Sequence, residues 1–338
     1  MLVYRVAPVL GKIVLVFVLS LLVPLTLSMV LDDGATSAYA ITMGVCVLVG
    51  VALLLLGRRG MRADELKSRD GILLVGLVWT LLPLIACLPF LLHFAQTPQP
   101  LSFSGAYFEA MSALTTTGST VLSGLDHASP GLLIWRSMLQ WLGGIGFIGM
   151  AVAILPLLRV GGMRLFQTES SDWGEKVMPR SHMAAKYLLL VYLALTGLGF
   201  LAYWAAGMNP FEAINHAMTS ISTGGYSTSD SSLANWSQPA VHWVAVVLMI
   251  FGGLPFTLYV ATLRGNRKAL IRDHQVRGFL GFLLVTWLVF GTWLWLHSDN
   301  SWLDAFRIVA VNVTSVVTTT GFALGDYTTW GSFAVLLF

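Results

Sequence analysis

The sequence predicts an all-α polytopic membrane protein made of repeated helix–pore loop–helix units, and three observations carry that prediction. Apolar residues make up 56% of the 338 positions and charged residues 10%, with a mean hydropathy of +0.78; that balance belongs to chains that cross a bilayer several times. Long apolar runs recur, each with about the 17 to 25 residues that a helix needs to span the hydrocarbon core. A short turn rich in Thr or Ser and ending in Gly breaks the apolar pattern three times, as Thr115-Thr116-Thr117-Gly118, Ser222-Thr223-Gly224-Gly225 and Thr318-Thr319-Thr320-Gly321. Counted on Gly118, Gly224 and Gly321, the copies lie 106 and 97 residues apart, which leaves room for two spanning helices and a re-entrant segment per unit.

In chain order, spans are expected near 13–31, 38–56, 72–92, 131–157, 183–206, 239–263 and 276–297, with another beginning at about 330. Arg5, Lys12 and the run to Leu31, followed by Ala38-Tyr39-Ala40, imitate a signal peptide. The run is nevertheless long enough to cross, and a second apolar segment follows at once. The chain divides accordingly: residues 1–70 hold two N-terminal transmembrane helices and the first loop, 71–160 the first repeat, 183–264 the second and 276–338 a truncated third. The three Thr/Ser-Gly turns fall between spans three and four, five and six, and seven and eight. Internal repeats of this kind, all of one topology, predict a pseudo-symmetric assembly about an axis normal to the membrane.

Charge sets the orientation. Of 19 Lys and Arg residues, five fall in 57–71, five in 158–186 and five in 264–277. The positive-inside rule makes those loops cytoplasmic, and Arg5 and Lys12 place the N-terminus on the same side. The opposite face carries Asp32, Asp33, Glu109, Asp126, Glu212, Asp230, Asp299, Asp304 and Asp326, an acidic vestibule suited to gathering cations. Arg136 and Arg307 stand near that face, where each is expected to snorkel or pair with a carboxylate; both are also candidates for electrostatic tuning of ion occupancy.

A cation entering a bilayer must exchange its water for other oxygens, and rings of backbone carbonyls supply them. Thr and Ser hydroxyls add oxygens without charge, and Gly lets the backbone turn its carbonyls toward an axis. The stretches Phe108–Leu114, Phe211–Ile221 and Asp304–Val317 suit short pore helices whose negative C-terminal ends would favour a cation. A glycine past a helix end is also an ordinary cap. Three copies in similar surroundings outweigh that reading: Ala110-Met111-Ser112-Ala113 parallels Ala217-Met218-Thr219-Ser220, and an acidic residue (Glu109, Glu212, Asp304) precedes each turn.

These turns, with Leu66-Lys67-Ser68-Arg69-Asp70-Gly71, Trp135-Arg136-Ser137, Gln140-Trp141-Leu142-Gly143-Gly144-Ile145-Gly146, Phe166-Gln167-Thr168-Glu169-Ser170-Ser171-Asp172 and Ala213-Ile214-Asn215-His216-Ala217-Met218, resemble the Trk/Ktr/HKT superfamily of potassium transporters. Within it, the likeness is to the bacterial TrkH-type uptake proteins, because two spans precede the first repeat. The resemblance covers nearly the whole chain. It implies four repeats around a pseudo-fourfold pore in the bacterial inner membrane, with potassium as the transported ion, bound at Thr116, Thr117 and Gly118, at Ser222, Thr223 and Gly224, and at Thr319, Thr320 and Gly321. Ser119, Gly225 and Phe322 would flank these positions, and a glycine rather than a serine at 118 matches the potassium-type pattern. It further implies a homodimer embedded in lipid, gated by a cytoplasmic, TrkA-like nucleotide-binding subunit docked on the basic loops. No other cofactor and no nucleic-acid partner is expected. Since the sequence stops at Phe338 within an apolar run, it reads as C-terminally incomplete, with repeat four and the family's gating loop beyond its end.

Other chemistries find little support. The histidines His93, His127, His182, His216, His242, His274 and His297 are scattered and form no acid–base or metal pattern, so no enzyme is expected; His216 is expected to hydrogen-bond locally. Cys46 and Cys87 lie in apolar runs as packing residues. The glycines of 143–149 read as sites of close helix packing rather than a nucleotide loop. A cation symporter working as a carrier is the alternative; carriers that rock two halves show inverted repeats, whereas these share one topology.

Overall fold

The computed structural model describes residues 2–58, 68–158 and 181–331. Two helices come first, α1 (Leu2–Leu31) and α2 (Thr36–Arg58), followed by α3 (Ser68–Ala86), α4 (Leu88–Phe94), α5 (Phe103–Leu114) and α6 (Pro130–Leu158). Then follow α7 (Ser181–Ala205), α8 (Pro210–Ile221), α9 (Pro239–Gly253), α10 (Phe256–Leu263), α11 (Ala269–Arg272), α12 (His274–His297) and α13 (Trp302–Val317). No strand occurs among the described residues, as expected of a chain whose backbone polar groups must be satisfied without water.

Five segments among the described residues are long and apolar enough to cross a membrane: Tyr4–Leu31, Thr36–Arg58, Arg69–Phe94, Lys186–Ala205 and His274–His297. The expected crossing at 239–263 is instead two helices, α9 and α10, bent by 86°. Pro255 explains the break. A residue before proline is pushed out of the helical region, and Leu254 adopts φ −79°, ψ 149°. The span expected from about 330, the motif Phe166–Asp172, Leu66 and Lys67, and the basic residues of 59–67 and 159–180 lie outside the described residues.

Repeat one consists of α3–α4, α5 and α6; repeat two of α7, α8 and α9–α10; and the third segment of α12 and α13. The short pore helices start on designed caps. Ser102 Oγ accepts from Gly105 N–H at 3.1 Å and Ser301 Oγ from Asp304 N–H at 3.2 Å. Asn209 and Glu212 form a reciprocal capping box, which satisfies two otherwise orphaned donors.

The α1–α2 hairpin packs closely, since a Cβ on Gly11 would come within 2.8 Å of the Gly50 carbonyl oxygen; small residues permit such approach in membranes. It is tied to repeat one at its tip. Asp33 accepts from Ser129 Oγ at 2.5 Å and from Gly131 N–H at 2.7 Å, from Ala35 N–H at 3.1 Å and from Ser28 Oγ. Deeper down, Tyr39 donates to Gly131 O at 2.8 Å and Trp135 to Ala86 O at 3.1 Å. Cys46 and Cys87 are free and buried.

Candidate functional site: three converging turns

The pore helices α5, α8 and α13 all end in one way. Thr116 and Thr117 donate to Ala113 O and Ser112 O at 3.0 and 2.9 Å, Thr223 and Gly224 to Ser220 O and Thr219 O at 3.1 and 2.9 Å, and Thr319 and Thr320 to Val316 O and Ser315 O at 3.0 and 2.7 Å. This is the Schellman pattern, which requires a left-handed residue just past the helix. Here that residue is a threonine each time: φ is 54° at Thr116, 51° at Thr223 and 57° at Thr319. A β-branched side chain in that region is a genuine outlier and costs on the order of 1–3 kcal/mol. Two residues later φ is positive again, at Gly118 (80°), Gly225 (74°) and Gly321 (93°).

The register of the second repeat therefore differs by one residue from that read on the sequence. Gly225, not Gly224, is the counterpart of Gly118 and Gly321, and Ser222 is the counterpart of Thr115 and Thr318. The positions nine residues before these glycines confirm the alignment, for each pins the chain beyond its own turn. Glu109 accepts from Thr120 Oγ1 at 2.9 Å and Val121 N–H at 3.0 Å. His216 Nε2 lies 3.0 Å from Ser227 Oγ. Asn312 exchanges bonds of 2.9 and 3.0 Å with the Leu324 backbone. His216, with its other nitrogen 2.9 Å from Glu212 O, is held locally as expected. Glu109, Glu212 and Asp304, grouped by sequence, are not equivalent: Glu109 sits mid-helix and buried, whereas Glu212 and Asp304 lie in first turns.

The turns meet. A Cβ on Gly118 would strike the Gly224 carbonyl oxygen and come within 3.4 Å of the Thr320 carbonyl oxygen; one on Gly225 would strike Thr320 O. Backbone oxygens of repeats two and three thus face the Gly118 α-carbon. At Gly321 an added Cβ meets open space. Helices α6 and α9 hold this arrangement through paired glycines. Gly143 and Gly252 abut the ends of their own pore helices, at Leu114 O and Ile221 O, while Gly144 and Gly253 abut the next turn, at Ser222 and Thr318. A Cβ added at Gly146 would meet nothing within 4 Å, and Gly149 lies where side-chain surroundings are not described.

Behind the first seam lies a polar brace around Arg136, whose partners the sequence did not name. Arg136 pairs with Glu109 at 2.8 Å, both side chains being at most 2% exposed. It also donates to Thr120 Oγ1 at 3.0 Å and Ser227 O at 3.3 Å and lies 4.1 Å over the Tyr226 ring. Tyr226 donates to Ser119 O at 3.0 Å. Gln140 Nε2 donates to Gly224 O at 2.7 Å, and Gln140 Oε1 accepts from Tyr226 N–H at 3.1 Å. Arg307 instead pairs with Asp304 at 2.7 Å within one turn of α13. Phe322 is buried and stacks on His216 at 5.7 Å.

The acidic residues assigned by sequence to the vestibule are largely engaged. Besides Asp33, Glu109, Glu212 and Asp304, Asp230 accepts from Gly124 N–H and Leu125 N–H at 2.8 and 3.1 Å, and Asp326 from Thr328. Burial would raise the Asp33 carboxyl, but the bonds from Ser129, Ser28, Gly131 and Ala35 outweigh it and hold the group below the usual carboxylate range. Among the described residues no three His, Cys, Asp or Glu side chains stand close enough to hold a metal.

Fold and site together define a helical membrane protein of several spans with three converging Thr/Ser-Gly turns. Residues 13–329 match the family described as TrkH, cation transport protein. The chain is 42% identical to the Trk system potassium uptake protein TrkI of Halomonas elongata, over 99% of this chain and 67% of that protein. It is 36% identical to TrkH of Escherichia coli K12, over 97% and 68% respectively. The crystal structure of the potassium transporter TrkH from Vibrio parahaemolyticus superposes with a TM-score of 0.87 at 35% identity, covering all of this chain and 69% of that one. The chain belongs to the TrkH family of cation transport proteins.

Proposed function

We propose that this chain contributes the pore of a potassium uptake system in the bacterial inner membrane, its N-terminus cytoplasmic, with the converging turns as selectivity filter. The observation that carries the reading is the threefold recurrence of a strained left-handed threonine followed by a positive-φ glycine, with the Gly224 and Thr320 oxygens turned toward Gly118. Such outliers persist only where surrounding structure holds them, and they cluster at functional sites. On the structural register the ion positions are Thr116-Thr117-Gly118, Thr223-Gly224-Gly225 and Thr319-Thr320-Gly321, with Ser222 at the pore-helix end. Relatives are longer than this chain, and a fourth turn, as the resemblance implies, would stand on the open side of Gly321. The three turns share one topology, which suits a pore driven by membrane potential, worth about 2.3 kcal/mol per charge per 100 mV. A cytoplasmic TrkA-like nucleotide-binding subunit and a homodimer, taken from the resemblance, complete the proposed assembly.

The test is low-potassium growth and rubidium uptake in a bacterium stripped of its potassium importers, expressing the complete reading frame that contains this chain. Uptake restored by the wild type, with sodium discrimination lost in Gly118→Ser, is the expected result. A serine Cβ at 118 would enter the space the Gly224 and Thr320 oxygens face. Membrane-inserted protein that moves no rubidium, or a Gly118→Ser variant of unchanged selectivity, overturns the filter.

A further inference from the structure

The two seams between repeats are built alike but not filled alike. Aligning Gly143-Gly144 on Gly252-Gly253, which make corresponding contacts, places Gln140 opposite Met249, both 0% exposed. At the first seam the Gln140 carboxamide grips the second turn at two points, Gly224 O and Tyr226 N–H. These belong to the peptide groups on either side of Gly225, and Gly225, at φ 74°, is the residue of that turn whose peptide planes rotate most freely. At the second seam Met249 can offer no such donor. Arg136 backs the same turn through Ser227 O and the Tyr226 ring, and is itself anchored on Glu109.

From this geometry we propose that Gln140 is a specificity-determining positioning residue, holding the Gly224 carbonyl back from the axis so that the ring does not contract around a smaller cation. This rests on the pore reading above. An oxygen that already accepts a 2.7 Å bond from the buried Gln140 amide must lose or stretch that bond to follow a small ion. A larger cation is met without such movement. Discrimination against sodium is then set partly by a side chain that never touches the ion, and the filter is asymmetric: tethered at the first seam, free of that tether at the second.

The experiment measures sodium and rubidium uptake in importer-deficient cells, normalised to transporter in the membrane, for the complete protein carrying Gln140→Met, Gln140→Glu or Gly118→Ser. Gln140→Met copies the Met249 seam and removes both bonds. Gln140→Glu keeps an acceptor for Tyr226 N–H and removes the donor to Gly224 O, and it carries the test if the first variant does not accumulate. Both should raise the sodium-to-rubidium ratio about fivefold or more while rubidium uptake continues, since a support left loose by a fraction of an ångström suffices to lose a site's geometry. An unchanged ratio with reduced amount or rate of rubidium uptake would mark Gln140 as a packing residue only and overturn the proposal. If Gly118→Ser shifts the ratio and the Gln140 variants do not, the filter reading survives and this proposal falls; if Gly118→Ser also fails to shift it, both fall.

Discussion

At the scale of single residues, the Glu109–Arg136 pair illustrates what a low-dielectric interior demands. Neither group can be left alone there, and removing one partner of a buried pair typically costs about 3–5 kcal/mol. Arg136→Leu should therefore lower the detergent-solubilised protein's unfolding temperature sharply, and Glu109→Leu combined with Arg136→Leu should recover part of the loss; thermal unfolding followed by tryptophan fluorescence checks both. The sequence displayed both residues but not their partnership, because a pair 27 positions apart leaves no periodic trace. Gln140 was visible only as one letter of a motif. The register of the three turns was legible and was nevertheless misread: the match of Ala110-Met111-Ser112 to Ala217-Met218-Thr219 already aligns Gly118 with Gly225. Two adjacent glycines in Ser222-Thr223-Gly224-Gly225 obscured it. The common task of Glu109, His216 and Asn312 could not be read at all, since a carboxylate, an imidazole and an amide do it by different chemistry.

Among elements, apolar length was a sound guide wherever a helix runs uninterrupted, as in α2, α7 and α12. At 239–263 it found the apolar segment but not its 86° bend, because composition continues through a break that Leu254-Pro255 announces conformationally rather than by polarity. The extended Leu254 follows from the ring of Pro255, so a reading weighted toward proline would have divided that span. The glycines of α6 separate by contact in a way that their spelling does not reveal. Gly143→Ala should cripple membrane accumulation, because its methyl would collide with the rigid Leu114 carbonyl; Gly146→Ala, facing open space, should accumulate like wild type. Quantitative immunoblotting of membranes distinguishes them, and equal yields would remove the packing argument.

For the molecule as a whole, the N-terminal hairpin and the first repeat are joined through Asp33. Its carboxyl is held below the usual range in the folded state. The charged form's contribution is thus fully present above the ordinary carboxylate pKa of 3.8 and disappears as pH falls through the depressed folded value. The stability difference between wild type and Asp33→Ala should stay constant from pH 7 to about pH 4 and shrink only below it, measured as unfolding temperature in detergent. A difference that fades between pH 6 and 5 would mean another group controls this joint. The paired glycines of α6 and α9–α10 carry a different consequence. Each pair grips its own pore helix with the first glycine and the following turn with the second, so each of these two units presents a socket only to its successor. Such a ring grows in a single rotational sense, like a spiral stair whose treads cannot be laid in reverse. The residues behind the two seams, Gln140 at one and Met249 at the other, can thus differ in chemistry without altering which unit follows which.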